Sequence, residues 1–134
     1  MAQLIHLVSG LRNFTLSKLR NHVFDLAAII LMVAITIGSL VPLPPVNAGQ
    51  GSDKVFHFAA YGLLAVLALV QRQSYRTALK VIIAIVLLGA AIEYLQPFAG
   101  RQREAADLMA NVTGTAIGAL LAWLLQYIKP ASPT

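Results

Sequence analysis

Residues 23–41 read VFDLAAIILMVAITIGSLV, an apolar run whose one acid, Asp25, stands near its start. At about 1.5 Å rise per residue, a helix of this length crosses the hydrocarbon core of a bilayer, which takes roughly 20 residues. Three more runs of similar length follow, at residues 55–71, 79–96 and 107–128. The breaks between them are equally legible. Pro42, Pro44 and Pro45 end the first run, and a Gly- and Ser-containing loop continues to Asp53. Residues 71–75 form a polar turn, residues 97–106 a third connection opened by Pro97, and Pro130 closes the last run. Proline and glycine punctuate helices because one lacks the backbone donor and the other frees the backbone. The pattern predicts an all-α, polytopic membrane protein, with short connections joining four transmembrane helices into an up-down bundle.

Composition agrees with that class. Of 134 residues, 58% are hydrophobic and 11% charged, and the mean hydropathy is +0.75, outside the range of ordinary soluble domains. The net charge of +5 does not indicate nucleic acid, since no soluble module with a basic, groove-reading or aromatic face is present. The basic residues instead flank the spans. Arg12, Lys18, Arg20, Arg72, Arg76, Lys80 and Lys129 fall on one side of the alternation, and Lys54, Arg101 and Arg103 on the other. The positive-inside rule then predicts a multi-pass membrane protein with both termini cytoplasmic. Cysteine is absent, which excludes disulfides, zinc-thiolate sites and thiol nucleophiles.

The chain divides into a basic amphipathic N-terminal segment (1–22), a four-helix transmembrane domain (23–128) and a short tail (129–134). In the first segment Leu4, Leu7, Val8, Leu11 and Phe14 recur at helical spacing, with Arg12, Lys18 and Arg20 elsewhere, as in helices that lie on a membrane surface. Val46, Asn47 and Ala48 loosely fit a signal-cleavage site. The preceding run is long for a signal peptide and prolines intervene, so a retained first helix is expected.

The acids carry the functional signal. Asp53, Glu93, Glu104 and Asp107 all lie where the alternation brings the start of the second span, the end of the third and the start of the fourth to one side. Asp25 is the exception, favourable at a helix start for dipole reasons alone. Asp53, His57 and Tyr61 recur at i, i+4 and i+8 on one helix face, with Lys54 beside the first. Glu93 and Gln96 form an i, i+3 pair just before Pro97, and Asp107 stands in N-cap or first-turn position with Asn111 one turn deeper. Each group also has a structural role open to it. His57 could pin two helices through a hydrogen bond, and Asp107 and Asn111 could be a cap and an interhelical contact. Glu93 is harder to assign that way, because an unpaired carboxylate in a span costs about 2.5–3.5 kcal/mol on insertion scales. Ala110, Gly114, Gly118 and Ala122 form a small-residue stripe suited to close helix packing, within the chain or between copies in an oligomer. Trp123 and Tyr127 read as interfacial anchors.

Three segments, DKVFHFAAY (53–61), EYLQ (93–96) and GRQREAADLMANVTGTAIG (100–118), together resemble the VanZ-like family of small bacterial membrane proteins. The resemblance covers residues 53–118; the first helix matches in hydrophobic character only. Asp53, Lys54, His57 and Tyr61 fall on its first motif, Glu93 and Gln96 on its second, and Arg101, Asp107, Asn111, Gly114 and Gly118 on its third. Glu104 stands where some members carry an acid, while Gln102 and Arg103 are less typical. The resemblance implies a bacterial envelope protein. The family is named for a teicoplanin-resistance protein, only some members are tied to glycopeptide resistance, and the name carries no reaction with it.

The residue types support three functions. In the first, the cluster binds or modifies the head group of an envelope lipid or cell-wall precursor at the outer leaflet. Lys54 and Arg101 would then hold phosphate, and His57 and Glu93 would handle protons. Asp53 or Asp107 would orient the imidazole, with Tyr61, Gln96 and Asn111 as further binding residues. In the second, the polar groups satisfy one another in a non-catalytic scaffold or sensor. In the third, Glu93 and His57 relay protons in a transporter, although four helices offer a small pathway. No Ser-His-Asp arrangement is evident, and one histidine among carboxylates lacks a specific ligand spacing. The expectation is therefore no metal and no cofactor.

Overall fold

The structure, a computed structural model, describes the backbone of residues 1–41 and 51–128 and the side chains of residues 1, 17–41 and 51–128. The described residues form four α-helices and no strand: α1 (Ala2–Leu40), α2 (Ser52–Leu69), α3 (Tyr75–Leu95) and α4 (Ala105–Ile128). A 3₁₀ turn, Gln96–Ala99, continues α3. All four helices contain stretches long and apolar enough to cross a membrane: Ser17–Leu40, Ser52–Leu69, Tyr75–Ala99 and Ala105–Ile128.

α1 runs unbroken through residue 22, since residues 17–22 contain neither proline nor glycine. The amphipathic face expected at residues 4–14 lies outside the described side chains. The proline loop with the Val46–Ala48 reading, and the tail 129–134, lie outside the described residues. Pro97 does not stop the third span outright. It sits in the first turn of the 3₁₀ segment, and Gly100 then ends the run at φ +75°, a left-handed conformation that glycine adopts without steric cost. Gly51, at φ +92°, starts α2 in the same region, with Asp53 in the helix's first turn.

The closest helix pair is α2 with α4, and small residues explain it. A Cβ on Gly114 would collide with the backbone carbonyl of Phe58, and one on Gly118 with the carbonyl of Gly62. A Cβ on Gly62 would stand 3.3 Å from the Gly114 carbonyl oxygen. The two backbones therefore touch over two turns, as in membrane helix pairs held by van der Waals packing where lipid removes any hydrophobic drive between helices. The small-residue stripe of α4 is thus covered by α2 of the same chain: Gly114, Gly118 and Ala122 are all buried. Gln126 Nε2 donates to the Leu69 carbonyl at 2.7 Å, so α2 and α4 run in the same direction along their full length.

α1 and α3 run counter to that pair. Near the middle of α1, where its apolar run begins, Asp25 meets Arg72 just beyond α2 at 2.6 Å. Near its C-terminal end, the Gly38 carbonyl accepts from Arg101 at 2.9 Å. α1 buries a narrow stripe, Ala28, Ile35 and Ser39, and turns Val23, Leu26, Ile29, Ile30, Val33 and Ile37 outward. The molecule is apolar outside and partly polar inside. Gln96, Glu93, Asn111 and Thr115 are among its largest fully enclosed side chains, beside Tyr61 and Ile92. In lipid this inversion is expected only where polar groups face one another or a ligand.

Candidate functional site

The site forms at the end of the bundle where α2 and α4 begin and α3 finishes. Helical periodicity stacks Asp53, His57 and Tyr61 along the face of α2 turned toward α4. The parallel run of α4 sets Glu104, Asp107 and Asn111 opposite them. α3 approaches both because Gly89 has no side chain: a Cβ there would stand 3.1 Å from Tyr61 Cε1 and 3.3 Å from Asn111 Nδ2. One turn further along, the same helix delivers Glu93.

Two layers result. The rim is partly open and centred on Lys54, whose Nζ lies 2.8 Å from Glu104 Oε2, 3.1 Å from Asp53 Oδ2 and 3.8 Å from Asp107 Oδ1. Side-chain exposures of 37% for Lys54, 43% for Asp53 and 44% for Glu104 put this layer within reach of water and head groups. The inner layer is closed. His57 Nδ1 lies 3.1 Å from Asn111 Oδ1, and since a carbonyl oxygen only accepts, Nδ1 carries the proton. That bond turns Nε2 toward Asp107 Oδ2, 4.0 Å away. Donor atoms of His57, Glu93 and Asp107 all lie within 4.8 Å of one another. The rings of His57 and Tyr61 stack at a centroid distance of 6.5 Å.

Few of the inner groups satisfy each other. Glu93 is 2% exposed, and neither of its carboxylate oxygens has a hydrogen-bond partner. The Tyr61 hydroxyl, Gln96 Oε1, Asn111 Nδ2 and Asp107 Oδ1 also lack one. Each such buried group costs about 1–3 kcal/mol, and more if charged. A cluster built only to hold helices together would close these bonds.

The structure therefore brings Asp53, Lys54, His57, Tyr61, Glu93, Gln96, Asp107 and Asn111 to one end of the bundle. Arg101 stands apart. Its Nη1 is spent on the Gly38 carbonyl, and its backbone N–H donates to the Gln96 carbonyl at 3.0 Å, so it ties the 3₁₀ turn to α1 and has no carboxylate at ion-pair distance. Glu104, which the sequence places among the acids at this end, is the nearest acid to Lys54; it stands in a connection, where no periodicity points to a partner. Two residues were not readable as members. Gly89 looked like any glycine within an apolar run. Thr115, buried one turn below Asn111, donates to the Asn111 carbonyl at 2.7 Å and steadies that turn; its i+4 spacing from Asn111 was the available signal. α1, which offered no polar candidate in sequence, reaches the site's edge through Gly38.

No curated protein and no solved structure matches the chain. A family model does, over residues 3–126, which includes the first helix as well as the three motifs. With the match covering nearly the whole chain, this four-span membrane protein belongs to the VanZ/LLP1 family.

Proposed function

We propose that the polar end of the bundle binds the phosphorylated or otherwise polar head group of an envelope lipid or cell-wall precursor at the outer leaflet of a bacterial plasma membrane, with both termini cytoplasmic. The observation that carries this reading is Glu93: a carboxylate in a span, 2% exposed, with both oxygens unpartnered. Membrane proteins retain such a group where it acts on something. Lys54 at the rim is the cation nearest the opening and would meet phosphate, while Glu93 and His57, with Asp107 beside them, would hold and move protons beneath it. Arg101 would close the site's edge against α1 rather than grip the ligand.

A non-catalytic scaffold is the second reading, supported by the His57–Asn111 bond and the Lys54 ion pairs. The two readings separate by experiment. Glu93→Gln and His57→Ala are expressed from the native locus, and membrane abundance, thermal stability and susceptibility to cell-wall-directed antibiotics, glycopeptides included, are followed together. Head-group binding predicts variants that accumulate as the parent does and melt no lower, but behave as a deletion. A scaffold predicts that stability falls along with the phenotype.

A further inference from the structure

The inner layer has the composition of a cation site, and we infer that His57, Glu93 and Asp107 bind a divalent transition-metal ion of the zinc or manganese kind. This stands apart from head-group binding, since the ion would be held with or without a lipid.

Two acidic clusters share Asp107. In one, Asp53, Glu104 and Asp107 surround the Lys54 ammonium, so a cation is already built into the chain. In the other, His57, Glu93 and Asp107 converge with donor atoms within 4.8 Å of one another, and Lys54 reaches this set only at its edge, 3.8 Å from Asp107 Oδ1. Glu93 aims two unpartnered, fully buried oxygens into this space, and Asp107 Oδ1 lacks a hydrogen bond as well. The imidazole completes the set. With Nδ1–H committed to Asn111 Oδ1, the Nε2 lone pair faces Asp107 Oδ2 at 4.0 Å, too far for a hydrogen bond. Two ligands of one ion, each bonded at about 2.0–2.2 Å, lie at such separations or somewhat closer, so a small inward turn of the side chains suffices.

A lone-pair nitrogen and two carboxylates facing one another need positive charge between them. A proton serves one pair of them; an ion serves all three. One nitrogen and two carboxylate oxygens suit zinc or manganese, whereas magnesium prefers oxygen and water. Asn111 plays the part usual beside a metal-binding histidine, fixing the ring and its tautomer from behind.

The full-length chain, its affinity tag removed, is stripped with chelator in detergent and titrated separately with Zn²⁺, Mn²⁺ and Mg²⁺. Bound metal and thermal unfolding are measured together. We expect one Zn²⁺ or Mn²⁺ per chain with a raised Tm, and no competition from Mg²⁺. Glu93→Gln and Asp107→Asn should each weaken binding at least tenfold, and Asn111→Ala, a positioning change, by about 10–100-fold. Asp25→Asn, at the other end of the bundle, should bind as the parent does. Folding of each variant is checked by helical content in chelator, so that Glu93→Gln, nearly isosteric, decides the matter if Asp107→Asn fails to fold. The inference is overturned if the parent binds no ion, if Glu93→Gln binds like the parent, or if Asp25→Asn abolishes binding. Failure would leave head-group binding untouched, because that reading is judged on phenotype.

Discussion

The two ends of the bundle handle charge in opposite ways. At the end where α1 enters its span, Asp25 and Arg72 pair one to one at 2.6 Å, Arg72 Nε also donates to the Ala68 carbonyl, and Gln126 Nε2 caps the Leu69 carbonyl. A groove of about 390 Å³ opens there between α2, α3 and α4, its lining including Leu69, Tyr75, Trp123 and Gln126. Asp25, Arg72 and Gln126 each have a partner. At the other end four acids gather around Lys54 and His57, and the deeper two, Glu93 and Asp107, keep oxygens with no hydrogen bond. The first arrangement is what folding alone would select; the second costs stability that folding does not return. The contrast is our reason for proposing function at the polar end, although the open groove lies elsewhere.

The comparison can be broken or sharpened by substitutions at each end and between them. Both ends depend on α2 and α4 keeping one register, so Gly118→Leu should have the largest effect. Its side chain would strike the Gly62 carbonyl and Ala65, costing about 3 kcal/mol or more, and should be seen as loss of folded protein in detergent. Glu93→Gln should act with the opposite sign. Measured in chelator, it should raise Tm by the equivalent of about 1–3 kcal/mol, since an unpaired buried charge is removed while the side chain keeps its shape; a fall in Tm would show that the polar end is as structural as the other. Gly89→Ala should cost about 1–2 kcal/mol by pressing on Tyr61 and Asn111, and should impair the phenotype more than Gly38→Ala, where a Cβ meets nothing within 4 Å. Asp25→Asn should be mildest, at about 0.2–1 kcal/mol and reduced by salt, as for a partly exposed ion pair.

Much of this was legible in the chain. Apolar run lengths gave four helices because a bilayer imposes a minimum span. The i, i+4, i+8 spacing of Asp53, His57 and Tyr61 gave one face of α2 because helix geometry leaves no alternative. Helix ends were less clear: α2 starts at Ser52 and α3 passes through Pro97 into a 3₁₀ turn, since short polar caps and a tightened last turn leave no mark in hydropathy. Lys54 and Arg101 read alike as phosphate-binding cations. Only the fold separates them, giving Lys54 to three acids and Arg101 to a carbonyl of α1. Gly89 was invisible for a similar reason, because its importance lies in what crosses it.

The backbone contact between α2 and α4 also decides how the buried cluster can be entered. Two helices touching through Phe58, Gly62, Gly114 and Gly118 have no side chains left to slide over one another, so they behave as a single rigid plate carrying His57, Asp107 and Asn111. With that face shut, Glu93 is reached either from the rim at Lys54 or between α3 and α1, where the Arg101–Gly38 hydrogen bond crosses. On the second route traffic would be set by how readily the third helix lifts away, and Glu93, which rides on that helix, would travel with the door.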